Sequence, residues 1–196
     1  MSCADPHILD APAALNDPAT VIAAMGWPDV AAPRIGIGWI DTPLGLMVAA
    51  ADRTHLHLLE FTDRKALRGE LRKLAGMVKG DIGFGRTAIH DQTAAALAVY
   101  FAGQSADFDV PLAFHGTPFT RHVWTHLLQF PAGETRTYGQ IAQSIGRPKA
   151  TRAVARANGA NQIAILIPCH RVIGADGTLT GYGGGLWRKD RLISLE

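Results

Sequence analysis

Residues 168–172 read Pro-Cys-His-Arg-Val, and this short run holds the residue types most suited to covalent chemistry in the chain. A thiol attacks as its thiolate, and a histidine beside Cys169 can help to lower the thiol pKa. The apolar run Ile163–Ile167 leads directly into it. Its β-branched content predicts a short buried strand, or an equally buried extended segment. Pro168 lacks an N–H and ends any ladder pairing there. Such a strand would deliver Cys169 to the point where regular structure stops, held rigidly but open on one side. The competing reading is a small cysteine that only fills the core.

The bulk properties bound the setting. At 196 residues and 47% hydrophobic, the chain is long for one domain and short for two, with enough apolar residues for a real core. It contains no apolar run of about eighteen residues, so no membrane span is expected. The opening Met-Ser-Cys-Ala-Asp-Pro lacks the basic and apolar regions of a signal peptide. Two cysteines, Cys3 and Cys169, make no disulfide framework, which fits a reducing cytoplasm and a free Cys169 thiol.

A net charge of +2 conceals an asymmetry. From Thr117 onward there are ten basic residues against four acidic ones, whereas residues 1–116 carry nine basic and thirteen acidic. A basic second half suggests a polyanionic partner. A chance distribution over solvated faces is the alternative.

Several elements must position the chemistry. Residues 1–33 show no sustained period and read as a tail or linker. Arg34–Asp41, Leu46–Ala50 and His55–Phe61 alternate as strands, with Thr42-Pro43-Leu44-Gly45 as a turn. Asp63 is placed to cap a helix running to about Met77. Thr87–Phe101 forms a second helix closed by Gly103, and Asp107–Phe114 reads as a further strand. These residues, 34–115, make a small α/β unit. His55 and His57 share a strand face and His122 and His126 a helix face. Neither pair has the Cys or carboxylate partners of a metal site, so no metal is expected.

Residues 116–196 read as a second, mostly helical unit. Thr117–Phe130 is amphipathic and stops at Pro131-Ala132-Gly133. Thr137-Tyr138-Gly139-Gln140 is a capping box opening a helix through Ile145. Gly146 ends that helix, and Pro148 suits the first turn of the next, about Lys149–Asn158. Two short helices joined by a Gly-containing turn match a helix-turn-helix. On the second helix Arg152 and Arg156 share a face, and Ala150, Ala153 and Ala157 line a neighbouring one. Few side chains there suit base edges in the major groove, so minor-groove or backbone contact fits better. A core helix with inward alanines is the competing reading. Asp176-Gly177 signals a hairpin. Gly181-Tyr182-Gly183-Gly184-Gly185 lacks the Gly-Lys-Ser/Thr of a P-loop and reads as a flexible wall bearing one aromatic. Leu186–Leu195 reads as a closing helix.

Taken together these motifs resemble the O6-alkylguanine-DNA alkyltransferases. Pro168-Cys169-His170-Arg171-Val172 is the family signature. It stands in order with Tyr100-Phe101-x-Gly103, Gly116-Thr117-x-Phe119, Val123-Trp124, Thr137-Tyr138-Gly139, Arg152-Ala153-Val154, Asn161 and Asp176-Gly177-x-Leu179-x-Gly181-Tyr182. The likeness is close from Tyr100 to Glu196 and looser over Arg34–Phe61.

The resemblance implies an RNase H-like α/β first domain followed by a winged helix-turn-helix-like second domain. It implies a suicide methyltransferase that flips a damaged guanine from duplex DNA and takes its O6 alkyl group on Cys169, once per molecule. O4-alkylthymine is an expected second substrate. His170 would take the thiol proton through a water, held by Glu196. Asn161 would pin the turn carrying Cys169, and Tyr138 would donate to guanine N3. Arg152 would fill the space left by the flipped base. Tyr182 and the backbone of Gly183 would cover the base, and the Val172 carbonyl would read its exocyclic amine. Thr151, Ala153 and Arg171 complete the expected DNA contacts. Many relatives have Ser where this chain has Gly183. No cofactor, metal, membrane or obligate protein partner is implied. Two other functions compete: a non-catalytic DNA-damage-binding or regulatory module, and a cysteine hydrolase.

Overall fold

The computed structural model describes residues 33–78 and 82–196. The expected tail and Cys3 lie outside them, apart from Pro33.

Three runs rich in apolar residues become antiparallel neighbours: β1 (Ile35–Ile40), β2 (Met47–Ala51) and β3 (Leu56–Phe61). A short fourth strand, β4 (Ile82–Phe84), adds parallel to β1, so the sheet is mixed and its order is β3-β2-β1-β4. Successive strand residues point to opposite faces. On one face Ile35, Ile37, Val48, Ala50 and Leu58 bury against Leu67, Leu71 and Leu74 of α1 (Leu67–Met77). On the other, Met47, Ala49, Ala51, Leu59 and Phe61 join a core that runs on into the second half of the chain. That core takes in Leu97 and Tyr100 of α2 (Ala88–Phe101) and Val123, Trp124 and Leu127 of α3 (Pro118–Leu127). It also contains Ile163–Ile167, Cys169 and Val172. The expected boundary near Gly116 therefore separates elements along the chain without dividing the core.

The remaining elements follow their local signals. Thr137 closes β5 (Arg136–Thr137) and opens α4 (Tyr138–Ser144) through the reciprocal capping box. Gln140 N–H donates to Thr137 Oγ1 at 3.2 Å, and Thr137 N–H donates to Gln140 Oε1 at 2.8 Å. A 3₁₀ turn, Pro148–Ala150, leads into α5 (Thr151–Gly159). Trp124 Nε1–H donates to the Ala157 carbonyl at 2.8 Å and ties α5 to α3. A second 3₁₀ turn, Cys169–Arg171, precedes β6 (Val172–Ile173), which pairs parallel with β5. The chain closes in α6 (Leu186–Leu195).

Four expectations are corrected. Asp63 caps no helix, since α1 begins at Leu67 without a side-chain cap; the Asp63 carboxylate binds Arg188 instead. Asp107–Phe114 is no regular strand and touches the edge of β3 only through the bridge from Leu112 to Leu56. Asp176-Gly177 forms a turn in which Gly174 N–H donates to Thr178 O, but β6 finds its partner in β5 and no hairpin forms. Ile163–Ile167 is buried as expected, yet it is a compact turn, bridged to Leu59 at Ile163 alone.

Candidate active site

Asn161 explains why the apolar run coils. Its Nδ2 donates to the carbonyls of Ile163 (3.3 Å) and Ile167 (3.0 Å), and its Oδ1 accepts from Ile163 N–H at 3.0 Å. Groups that a strand ladder would use are thus taken by one buried side chain. Ile165 is forced to φ +71°, a backbone conformation costly for a β-branched residue. The same Nδ2 lies 3.0 Å from Cys169 Sγ. Asn158, at the end of α5, donates to the Cys169 carbonyl at 3.4 Å. The nucleophile is therefore held at both sulfur and backbone.

Cys169 is only 6% exposed. Burial pushes its thiol up to about 11; the Asn161 amide and the Arg64 and Lys189 cations oppose that shift. At neutral pH the resting group is thus a thiol, and transfer needs a proton acceptor.

His170 is fully buried, and its Nε2 lies 2.8 Å from Glu196 Oε1. Burial holds its pKa below the ordinary histidine range, against the pull of Glu196. The carboxylate can only accept, so Nε2 carries the proton. Nδ1 then presents a lone pair, and it has no hydrogen-bond partner among the described residues. A neutral imidazole with a free Nδ1 is a competent proton acceptor.

Glu196 is fixed more firmly than a C-terminal helix position would suggest. Arg171 grips it with Nε (2.8 Å) and Nη2 (2.9 Å), and Tyr100 Oη donates to it at 2.7 Å. Burial favours the neutral acid, but the donors win and hold the carboxyl down at about 2. Arg171 is thereby removed from the expected DNA contacts. It is 5% exposed and turned inward, with its third nitrogen on the Phe130 carbonyl.

The other expected residues fall in two groups. Tyr138 and Tyr182 converge near the sulfur. The capping box sets Tyr138 at the first turn of α4, and burial and the nearby Cys169 raise its pKa. The Tyr182 ring meets His170 edge-on at 6.5 Å, and its buried hydroxyl has no partner among the described residues. The Val172 carbonyl accepts from Lys189 Nζ, which also donates to Thr180 O, so Lys189 joins β6 to the loop bearing Tyr182. Gly183 is exposed on that loop. In contrast, Thr151 and Arg152 are exposed on α5, with Ala153 half-buried beside them.

Sequence reasoning gave no role to Asn158, Lys189, Glu60 or Arg64, and quoted Tyr100 only as part of a motif. The His55/His57 pair also resolves differently. His57 meets His115 at 2.7 Å and Asp52 at 3.1 Å, and no cluster arranged for a metal occurs among the described residues.

A chain similar to this one is the methylated-DNA–protein-cysteine methyltransferase of Mycolicibacterium paratuberculosis, 44% identical over 163 residues that span 80% of this chain and 89% of the relative. This chain belongs to the methylated-DNA–protein-cysteine methyltransferase family. A profile described as the DNA-binding domain of 6-O-methylguanine DNA methyltransferase matches residues 118–196, which include Tyr138, Asn161, Cys169, His170, Tyr182 and Glu196. Among solved structures, the O6-methylguanine methyltransferase of Mycobacterium tuberculosis is similar with a TM-score of 0.71 at 41% identity, covering 82% of this chain and 92% of that one. Its OGT structure in complex with DNA aligns with a TM-score of 0.69 at 42% identity, over 80% and 89% of the two chains. Methyltransferases of this family thus share the mixed sheet and the helices that frame Cys169.

Proposed function

We propose that this methyltransferase repairs alkylated DNA by moving the O6 alkyl group of guanine irreversibly onto Cys169. The observation that carries the reading is the buried Cys169 thiol, pinned by Asn161, next to a neutral His170 whose Nε2–H is committed to Glu196. In the step, the thiol proton passes to His170 Nδ1 through an intervening water. The sulfur attacks the alkyl carbon, the C–S bond forms and the C–O6 bond breaks with its electron pair leaving on the guanine. Tyr138 donates toward guanine N3 and stabilises that charge. The product is a thioether, which explains one transfer per molecule.

Cys169 is too buried to reach a base still stacked in a duplex, so the guanine must be flipped out. The pair α4 and α5 acts as a helix-turn-helix in a winged second domain of residues 116–196, beside an RNase H-like first domain of 34–115. The exposed Arg152 enters from the minor groove and fills the gap, with Thr151 and Ala153 at the backbone. Tyr182 and Gly183 cover the base. The Val172 carbonyl has two lone pairs, so it can hold Lys189 and still accept from the exocyclic amine. O4-alkylthymine is a second substrate by the same chemistry.

Intact mass after mixing with duplex DNA carrying one O6-methylguanine tests this. The expected result is one added methyl group on the peptide containing Cys169, saturating at one per chain, and none in Cys169→Ala. Retained lesion binding without mass gain would favour a damage-binding module instead. Arg152→Ala should slow repair of duplex by about tenfold while sparing free O6-methylguanine base; equal losses would remove the finger role.

A further inference from the structure

A group of buried charges lies against the loop 181–185 and takes no part in the chemistry above. Arg64, just beyond β3, has a side chain only 9% exposed. Its Nη1 lies 2.9 Å from Glu60 Oε1, and its Nη2 lies 2.7 Å from Glu70 Oε1. Nη2 also donates to the carbonyl of Gly159, the last residue of α5, at 3.2 Å. One guanidinium therefore joins β3, α1 and the end of α5.

The same guanidinium presses on the loop. A Cβ built at Gly183 would stand 2.2 Å from Arg64 Nη1 and 2.7 Å from its Cζ. A side chain at position 183 would therefore have to displace the guanidinium. At the next residue, Gly184, a Cβ would stand 2.9 Å from Cδ2 of Phe61 in β3. Arg188 forms a second clasp: it pairs with Asp63 at 2.9 Å through both terminal nitrogens and donates to Gly184 O at 2.8 Å. Between the two clasps the loop carries Tyr182 into the core beside Cys169 and His170.

We infer that Arg64 is a positioning residue for alkyl transfer: clamped by Glu60 and Glu70, it braces the Gly183 segment against α5 and so keeps Tyr182 in place over Cys169. The inference rests on the transfer reading and adds to it a role for the first half of the chain.

Two substitutions should break the brace by different routes. Arg64→Ala removes the guanidinium, and Gly183→Ser displaces it. Each should raise the rate at which iodoacetamide labels Cys169 by about tenfold, because the loop lifts from the sulfur. Each should also raise the half-saturating concentration of free O6-methylguanine by about tenfold, and Arg64→Ala should leave affinity for undamaged duplex unchanged. The double variant should cost no more than the worse single one, since both act on one contact. Unchanged labelling, or costs that multiply independently, would overturn the brace. Should Arg64→Ala fail to fold because Glu70 loses its cation, Gly183→Ser decides by the same labelling measurement. A wild-type chain that never methylates would instead sink the transfer reading, while labelling still reports on the brace.

Discussion

Glu196 and Glu60 are both almost wholly buried around the nucleophile, with side chains 2% and 1% exposed, yet the protein treats them oppositely. Glu196 receives hydrogen bonds from His170, Tyr100 and two nitrogens of Arg171, and its pKa is held down at about 2. Glu60 pairs with one cation, Arg64, which it shares with Glu70, and it is pushed up to about 8 by burial. Burial penalises both carboxylates. The number and geometry of donors decide which stays ionised. Glu196 is thus a fixed negative charge that holds His170 in one tautomer. Glu60 is largely protonated at neutral pH, which leaves Arg64 and Glu70 as a balanced pair.

Neutralising each carboxylate separates them most sharply. Glu196→Gln should slow methyl transfer by roughly 10²-fold, the scale of a misplaced general base. It should also destabilise the fold by about 3–5 kcal/mol, because Arg171 is left buried without its partner. Glu60→Gln should stay within about threefold in transfer rate and about 1 kcal/mol in stability. Single-turnover kinetics and urea unfolding check both, and equal losses would erase the contrast.

The pH dependence of stability is the next largest effect. A depressed folded pKa contributes stability that is present above the ordinary carboxylate value and lost as pH falls, here between 4.5 and about 2. A raised folded pKa contributes stability that is full below the ordinary value and lost as pH rises, here between 4.5 and about 8. Glu196 should therefore steepen the wild-type curve below pH 4.5, and Glu60 should make stability fall as pH rises from 4.5 to about 8. Glu60→Gln should flatten only the second and Glu196→Gln only the first, measured by unfolding midpoints across pH. The smallest effect is expected for Tyr100→Phe, which removes one of the Glu196 donors. A loss of about 1 kcal/mol and a several-fold slower transfer would fit, and a loss as large as that of Glu196→Gln would show that Tyr100 has another role.

Much of this molecule is legible in the chain itself. The Thr137–Gln140 capping box, the turn at Gly146 and Pro148 and the apolar runs of β1 to β3 depend on neighbours a few residues apart. For them composition and spacing suffice. At the candidate site, residue types pointed to Cys169 and His170, the family resemblance added Asn161, Tyr138, Tyr182 and Glu196, and the structure brings all six to one region. What the sequence left undecided is every partner chosen across the fold. β4 is three residues long and exists because β1 offers it an edge. Ile163–Ile167 has the composition of a strand, but Asn161 captures its backbone groups and coils it. Asp63 looks like a cap and becomes the partner of Arg188. Arg171 looks like a DNA contact and turns inward to Glu196. Charge state belongs to the same class, since Glu60 and Glu196 are the same residue type. Only the tertiary structure decides which of them meets enough donors to keep its charge in a place that water does not reach.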